Sequence, residues 1–267
     1  MTNKEIFFAD GNSPKMIEAF KNAQETFKYF WRELSWEYRR IVPGLSVACA
    51  KVAFSENRDG SENPIVEHMW INDIDFDGEL VRGILINAPD ELTNIENGDA
   101  VAVPLSQISD WLFAIHGSAP KGLSKLFSSP QPKTYGGFTI QAIRSEMSNQ
   151  ERKEHDKAWG LDFGDYNEVL LVNEQNEKPE NLIEHPMSKN MKEKLIDFIE
   201  QNQNEITHQD EEGYSLLHRE TIAGNLTSVE VLLASGVDTN MKTNQGKTAL
   251  DYAKQFNWEH IIPVLQN

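Results

Sequence analysis

Residues 210–240, DEEGYSLLHRETIAGNLTSVEVLLASGVDTN, and residues 244–266, NQGKTALDYAKQFNWEHIIPVLQ, carry one pattern twice. Gly213 and Gly246, Ser215 and Thr248, Leu217 and Leu250, Val229 and Ile262, and Leu232 and Leu265 all stand 33 residues apart. A fixed period of this length marks a stacked array, in which no unit buries its apolar side alone and neighbours must cover one another. Each unit opens on G-x-[ST]-x-L-[HD].

On that opening, and on Gly224, Gly236, Asp238 and Asn240, the stretch from Asp210 to Gln266 resembles ankyrin repeats. The resemblance implies a turn and two antiparallel helices per unit. It also implies a structural role for His218 within its turn, and a surface that binds proteins and carries no chemistry. One period upstream, Ile199 falls opposite Leu232 and Thr207 opposite Asn240, which reads as a degenerate capping repeat with Gln203 where the family has Gly. Arrays of this kind need roughly three units to stand alone. This one is therefore expected to lean on the rest of the chain.

The 267 residues have room for about two domains. The expected division is an α+β domain over 1–180 and the ankyrin domain over 181–267. No apolar run approaches the ~20 residues that span a bilayer. The first residues, MTNKEIFFADGNSPKM, lack the basic flank and apolar core of an export signal, so a cytoplasmic protein is expected. A single cysteine, Cys49, fits a reducing compartment.

Charge carries a second signal. The 25 Lys and Arg against 42 Asp and Glu leave a formal −17, which disfavours nucleic acid and favours a basic protein partner. The excess is uneven: Glu62 to Asp99 holds ten acids and one base, Arg82, and Ile196 to Tyr214 holds six acids and no base. Solubility alone accounts for many acidic surfaces.

Upstream of the array, Ile17, Phe20, Ala23, Phe27, Phe30 and Leu34 recur at helical steps, and Ser13-Pro14 supplies a start, so residues 14–40 read as a helix. Residues 45–55 alternate like a strand, and 56–64 form a polar loop. Asp77-Gly78 between two alternating runs predicts a hairpin. A strand begins at Ala100, and 108–115 fits a strand or a short helix. Residues 116–134 read as a long connection, Gly136-Gly137-FTIQAI as a last strand, and 147–159 as a polar helix stopped by Gly160. This order of elements implies an α+β fold on a curved antiparallel sheet with flanking helices. The polar stretch 173–188 marks the junction, and a helix follows over 189–201.

The segments FKYFW (27–31), EHMWINDI (67–74), GILINAP (83–89), NGDAVAV (97–103), ISDW (108–111), GGFTI (136–140) and EHPMS (184–188) resemble, in order and spacing, the bacterial YegJ-like domain of unknown function. That family brings no established activity. The resemblance implies a setting near genes for secreted bacterial toxins, with fused ankyrin repeats as a recurring companion.

No motif carries catalysis. DIDFDG at 73–78 imitates the start of a calcium loop, but the position that needs a bidentate Glu is Ile84. The seven histidines show no metal-ligand spacing. Glu67 and His68 suggest an acid–base couple only weakly, since such a His more often satisfies a strand edge. Cys49 in an apolar strand reads as a buried small hydrophobe. Trp31, Trp36, Trp70 and Trp111 read as core or partly buried sheet residues. No phosphate loop or nucleophile elbow occurs.

The expectation is a non-enzymatic binding protein without cofactor, namely an immunity protein that occludes the active site of a basic toxin, for instance a nuclease. A generic ankyrin scaffold and an enzyme built on Glu67 and His68 are the alternatives. The expected partner-binding residues are Asp210, Glu211, Glu212 and Tyr214 at the first repeat tip, and Asp73, Asp75, Asp77 and Glu79 at the hairpin rim.

Overall fold

The computed structural model describes residues 13–58, 63–116 and 131–266, which fall into two compact units. The first comprises the chain up to Phe30 together with Arg40–Leu171, and the second Trp31–Arg39 with the chain from Val172. Helix α1, Pro14–Glu37, starts where Ser13 Oγ accepts the Met16 N–H, and its residues are shared between the units. Within it Met16, Ala19, Ala23, Phe27 and Phe30 are buried. Ile17, read from the pattern as part of the inward stripe, faces solvent instead, because Met16 and Ala19 define the covered side.

The first unit is built on a six-stranded antiparallel sheet of order β4-β3-β2-β1-β5-β6. The strands are β1 Leu45–Glu56, β2 Ile65–Phe76, β3 Leu80–Leu85, β4 Ala100–Pro104, β5 Ile108–Ile115 and β6 Lys133–Gly136. With helices against it the fold is α+β, as the order of elements implies. The hairpin expected at Asp77-Gly78 joins β2 to β3. Strand β5 is buried along nearly its whole length because both its faces are covered. Trp111 and Phe113 stack with Phe30 of α1, whereas Leu112 and Ala114 pack with Cys49, Ile140, Leu161 and Phe163. A strand buried on both faces reads as one apolar run, which is why its periodicity left a helix open.

The sequence reading fails at Phe138-Thr139-Ile140. These residues open helix α2, Phe138–Arg144, and the last strand is β6 immediately before it. The helix is nucleated from outside its own segment. Its N-cap, Gly137, supplies no side chain, and the Asp110 carboxylate on β5 accepts the N–H groups of Phe138 (2.9 Å) and Thr139 (2.8 Å). Helix α3, Asn149–Trp159, carries a capping box between Ser148 and Glu151 and ends at left-handed Gly160, as expected. Most of the connection expected over 116–134 lies outside the described residues, as does part of the loop at 56–64.

The second unit holds α4 Pro186–Asn190, α5 Lys192–Gln201, α6 Leu216–Ile222, α7 Leu226–Ala234, α8 Ala249–Gln255 and α9 Ile262–Leu265. The 33-residue period returns as geometry: α6 and α8 each begin with a capping box, Ser215 with His218 and Thr248 with Asp251. Residues 173–188 are not a loose stretch. They form a 3₁₀ turn, Pro179–Leu182, and the start of α4, and Asn181, Glu184, His185 and Ser188 are buried.

Candidate partner-binding surfaces

The second unit is tied together by polar groups from the end of α1. Arg32 donates to the carbonyls of Asn181, Leu182 and Ile183. Trp36 Nε1 donates to Asn225 Oδ1 at 2.9 Å, and Arg39 meets Glu220 at 2.6 Å. His185 accepts the Met187 N–H at Nδ1, so its proton sits on Nε2, which faces Glu33 at 3.0 Å. Its ring stacks on Trp36. Glu184 Oε1 accepts the Thr227 N–H near the start of α7, the same service that Asp110 performs for α2. Sequence reasoning assigned His185 no role; its partners lie about 150 residues upstream, beyond the reach of local pattern.

On the first repeat tip the four expected residues separate. Asp210 spends its carboxylate on its own turn, accepting from Glu212 N (3.1 Å) and Tyr214 N (2.8 Å) and pairing with Arg219. These donors and the cation, working against partial burial, hold its pKa below the usual value. Tyr214 corrects the expectation of an exposed anchor. It is only 3% exposed, and its hydroxyl meets that of Tyr252 at 3.2 Å. Glu211 and Glu212 have exposed side chains, while their carbonyls accept from Asn244. His218 sits in its turn as the repeat pattern implies, with Nδ1 facing Ser215 and Nε2 facing the Met241 carbonyl at 3.1 Å.

The hairpin rim divides in the same way. Asp77 accepts from the Glu79 and Leu80 N–H groups and pairs with Arg82 at 2.6 Å, so it builds the turn. Glu79 is half-buried. Asp73 and Asp75 are exposed, and Asp73 stands at φ 49° where the β2–β3 register shifts. The exposed carboxylates are thus Asp73 and Asp75 on one unit, with Asp75 3.8 Å from Arg82, and Glu211 and Glu212 on the other.

Glu67 and His68 do not form an acid–base couple. Glu67 accepts the N–H groups of Asp90, Glu91 and Leu92 and serves as a clamp on that loop. His68 stacks on Phe20 at 4.9 Å, and its Nδ1 is buried without a partner. Burial, with a smaller push from Lys51, lowers its pKa to about 4, so it is neutral near pH 7. Cys49 is buried and its thiol pKa is pushed up, chiefly by desolvation, which leaves it a poor nucleophile. Trp31, Trp36 and Trp111 are core and Trp70 is half-buried, in line with expectation.

Two capped helix pairs at a 33-residue period, joined to an antiparallel sheet, define the class as an α+β protein carrying ankyrin repeats. Residues 13–163 match the family described as an uncharacterized protein conserved in bacteria (DUF2314), and the chain belongs to that family. Residues 199–253 match ankyrin repeats (many copies). A protein of Neisseria meningitidis serogroup B named as an ankyrin repeat protein is 44% identical over 266 residues, covering 100% of this chain and 98% of that one. The uncharacterized protein YegJ of Escherichia coli K12 is 27% identical over 88 residues, 33% of this chain and 48% of that one. No solved structure matches. Among the described residues, no helix is long and apolar enough to cross a membrane.

Proposed function

We propose that this chain is a non-enzymatic binding protein of the cytoplasm whose partner is a basic protein, and that it acts as an immunity protein against a toxin. The observation that carries the reading is the exposed Glu211–Glu212 pair on the first repeat turn, in a chain of net charge −17. Ankyrin turns are exposed and rigidly held, and carboxylates there steer a cationic surface into register. A nuclease binds phosphates with Lys and Arg, so an acidic tip that enters its cleft competes with substrate directly. Asp73 and Asp75 on the sheet unit offer a second acidic surface of the same kind.

The test is affinity capture of the full chain from its native host, identification of the partner, and co-expression of the two. The reading expects a basic toxin whose lethality this chain suppresses. A captured partner that is neither toxic nor basic would leave a generic ankyrin scaffold as the better description and end the immunity reading.

A further inference from the structure

Apart from the acidic surfaces, one face of the sheet holds a cation and an imidazole whose nitrogens make no hydrogen bond among the described residues. Lys51 on β1 lies directly opposite Trp70 on β2, and Ala53 opposite His68, so Lys51, His68 and Trp70 share a face. Lys51 is also the cross-strand neighbour of Asp110 on β5. That carboxylate is already engaged: Oδ1 accepts from Trp111 N and Phe138 N, and Oδ2 from Thr139 N and the Thr139 hydroxyl. Among the described residues the Lys51 ammonium makes no hydrogen bond or ion pair. It rests over the Trp70 ring, 5.5 Å from its centroid. Cation–π contact offsets part of the desolvation but supplies no acceptor for the three N–H groups.

His68 completes the arrangement. Its Nδ1 is sealed from water and unpartnered, so exchange with a ligand runs through Nε2, which also has no partner among the described residues. Trp70 meets Trp159 edge to face at 6.2 Å, and Trp159 is 41% exposed at the end of α3, backed by Phe163 and His155. Trp70 packs from behind against the apolar cluster of Cys49, Leu112, Ile140 and Phe163, while Trp159 stays exposed at the rim beside the two donors.

We propose that Lys51, His68, Trp70 and Trp159 form a binding site for a small aromatic carboxylate. The carboxylate would accept from the Lys51 ammonium and His68 Nε2–H, and its ring would lie against the indoles. One cation beside a neutral imidazole balances a single negative charge. A phosphate dianion would remain uncompensated in a protein of this net charge. The ammonium's lowered pKa, caused mainly by burial and opposed by Asp110, is what a carboxylate partner would relieve. The site lies wholly within the sheet unit and is independent of the partner surfaces.

The experiment titrates the full chain with benzoate, acetate and inorganic phosphate at up to about 10 mM. It follows the His68 ring proton by NMR, with His68→Gln used for assignment. Benzoate is expected to shift that resonance saturably and to bind at least tenfold more tightly than acetate. Lys51→Met, with an unchanged melt, is expected to lose at least tenfold in benzoate affinity, while Trp159→Leu weakens benzoate and leaves acetate unaffected. Absence of any saturable shift, equal benzoate affinity in a folded Lys51→Met protein, or tighter binding of phosphate than of benzoate would each overturn the proposal. Should Lys51→Met fail to fold, Trp159→Leu at the exposed rim decides alone: no loss of preference for benzoate over acetate rejects the site.

Discussion

Trp36 Nε1 and Asn225 Oδ1 are 2.9 Å apart in a hydrogen bond that joins positions 189 residues distant in sequence. Asn225 is fully buried, and its Nδ2 donates in turn to Glu220, which pairs with Arg39. The ankyrin repeats therefore complete their interior with about two turns of α1, from Trp31 to its end at Glu37. Arrays with few repeats have little surface of their own to bury, and here α1 supplies polar and aromatic contacts, from Trp36 to Asn225 and from Arg32 to Trp258.

Trp36→Phe is accordingly expected to cost about 1–3 kcal/mol, since it leaves a buried Asn oxygen without a donor. Denaturant unfolding of the full chain, followed by far-UV signal and by exchange of amides in α6 and α7, measures it. The double variant with Asn225→Ala should show coupling and fall short of the sum of the single effects. Additive effects would mean that the bond contributes nothing.

Two glycines separate backbone strain from crowding. Gly224 has φ +72°, and a Cβ there would sit 2.4 Å from the Trp258 ring; Gly236 has φ +85° but open space around it. Gly236→Ala should cost about 1–2 kcal/mol through the left-handed backbone alone. Gly224→Ala carries a further penalty of about 1–3 kcal/mol because the indole must move. Equal midpoints for the two variants would contradict this packing.

The repeat period made Leu217 and Leu250 equivalent, but their surroundings differ. Leu217 is buried, whereas Leu250, in the last repeat, is half-buried. Leu217→Ala should lose about 2–5 kcal/mol and Leu250→Ala clearly less. Calorimetry of the two variants orders them directly, and the reverse order would place the open end of the array wrongly.

His68 links stability to pH. Its folded pKa, about 4, is below the ordinary histidine value of 6.5, so above 6.5 the imidazole is neutral in both states and its contribution is fully present. As pH falls from 6.5 toward 4 the unfolded chain takes up the proton first, and that stability is lost. His68→Phe should therefore gain on the wild type as pH drops through this window. His218, also lowered mainly by burial, titrates in the same direction but belongs to the other unit. A constant difference between wild type and His68→Phe from pH 7 to pH 4.5 would show that His68 is not held neutral.

What the sequence disclosed follows from the range of the interactions. The Asp77-Gly78 hairpin, the stop at Gly160 and the 33-residue period are local or periodic, and all were legible. Helix α2 was misread because Asp110, on another strand, takes its first N–H groups. The stretch 173–188 read only as a polar junction because its partners, Arg32 and Glu33, lie in α1. Tyr214 looked like an anchor beside three carboxylates, yet Tyr252 of the next repeat covers it. Lys51 and Trp70 become neighbours only once the β1–β2 register is known. Of the expected partner surface, Glu211, Glu212, Asp73 and Asp75 keep exposed side chains, whereas Asp77 and Asp210 are consumed by the turns they build.

The most direct test of the central claim is the association rate of the full chain with its captured partner, measured at low and high salt. Glu211→Lys with Glu212→Lys is compared with Asp73→Lys and Asp75→Lys. Exposed carboxylates act on encounter, so reversing the tip pair should slow association and flatten its salt dependence, with weaker protection in cells that express the partner. The rim pair should do the same to a smaller degree. If neither reversal changes the rate, the salt slope or protection, the acidic surface serves solubility alone and the claim of an electrostatically guided partner fails.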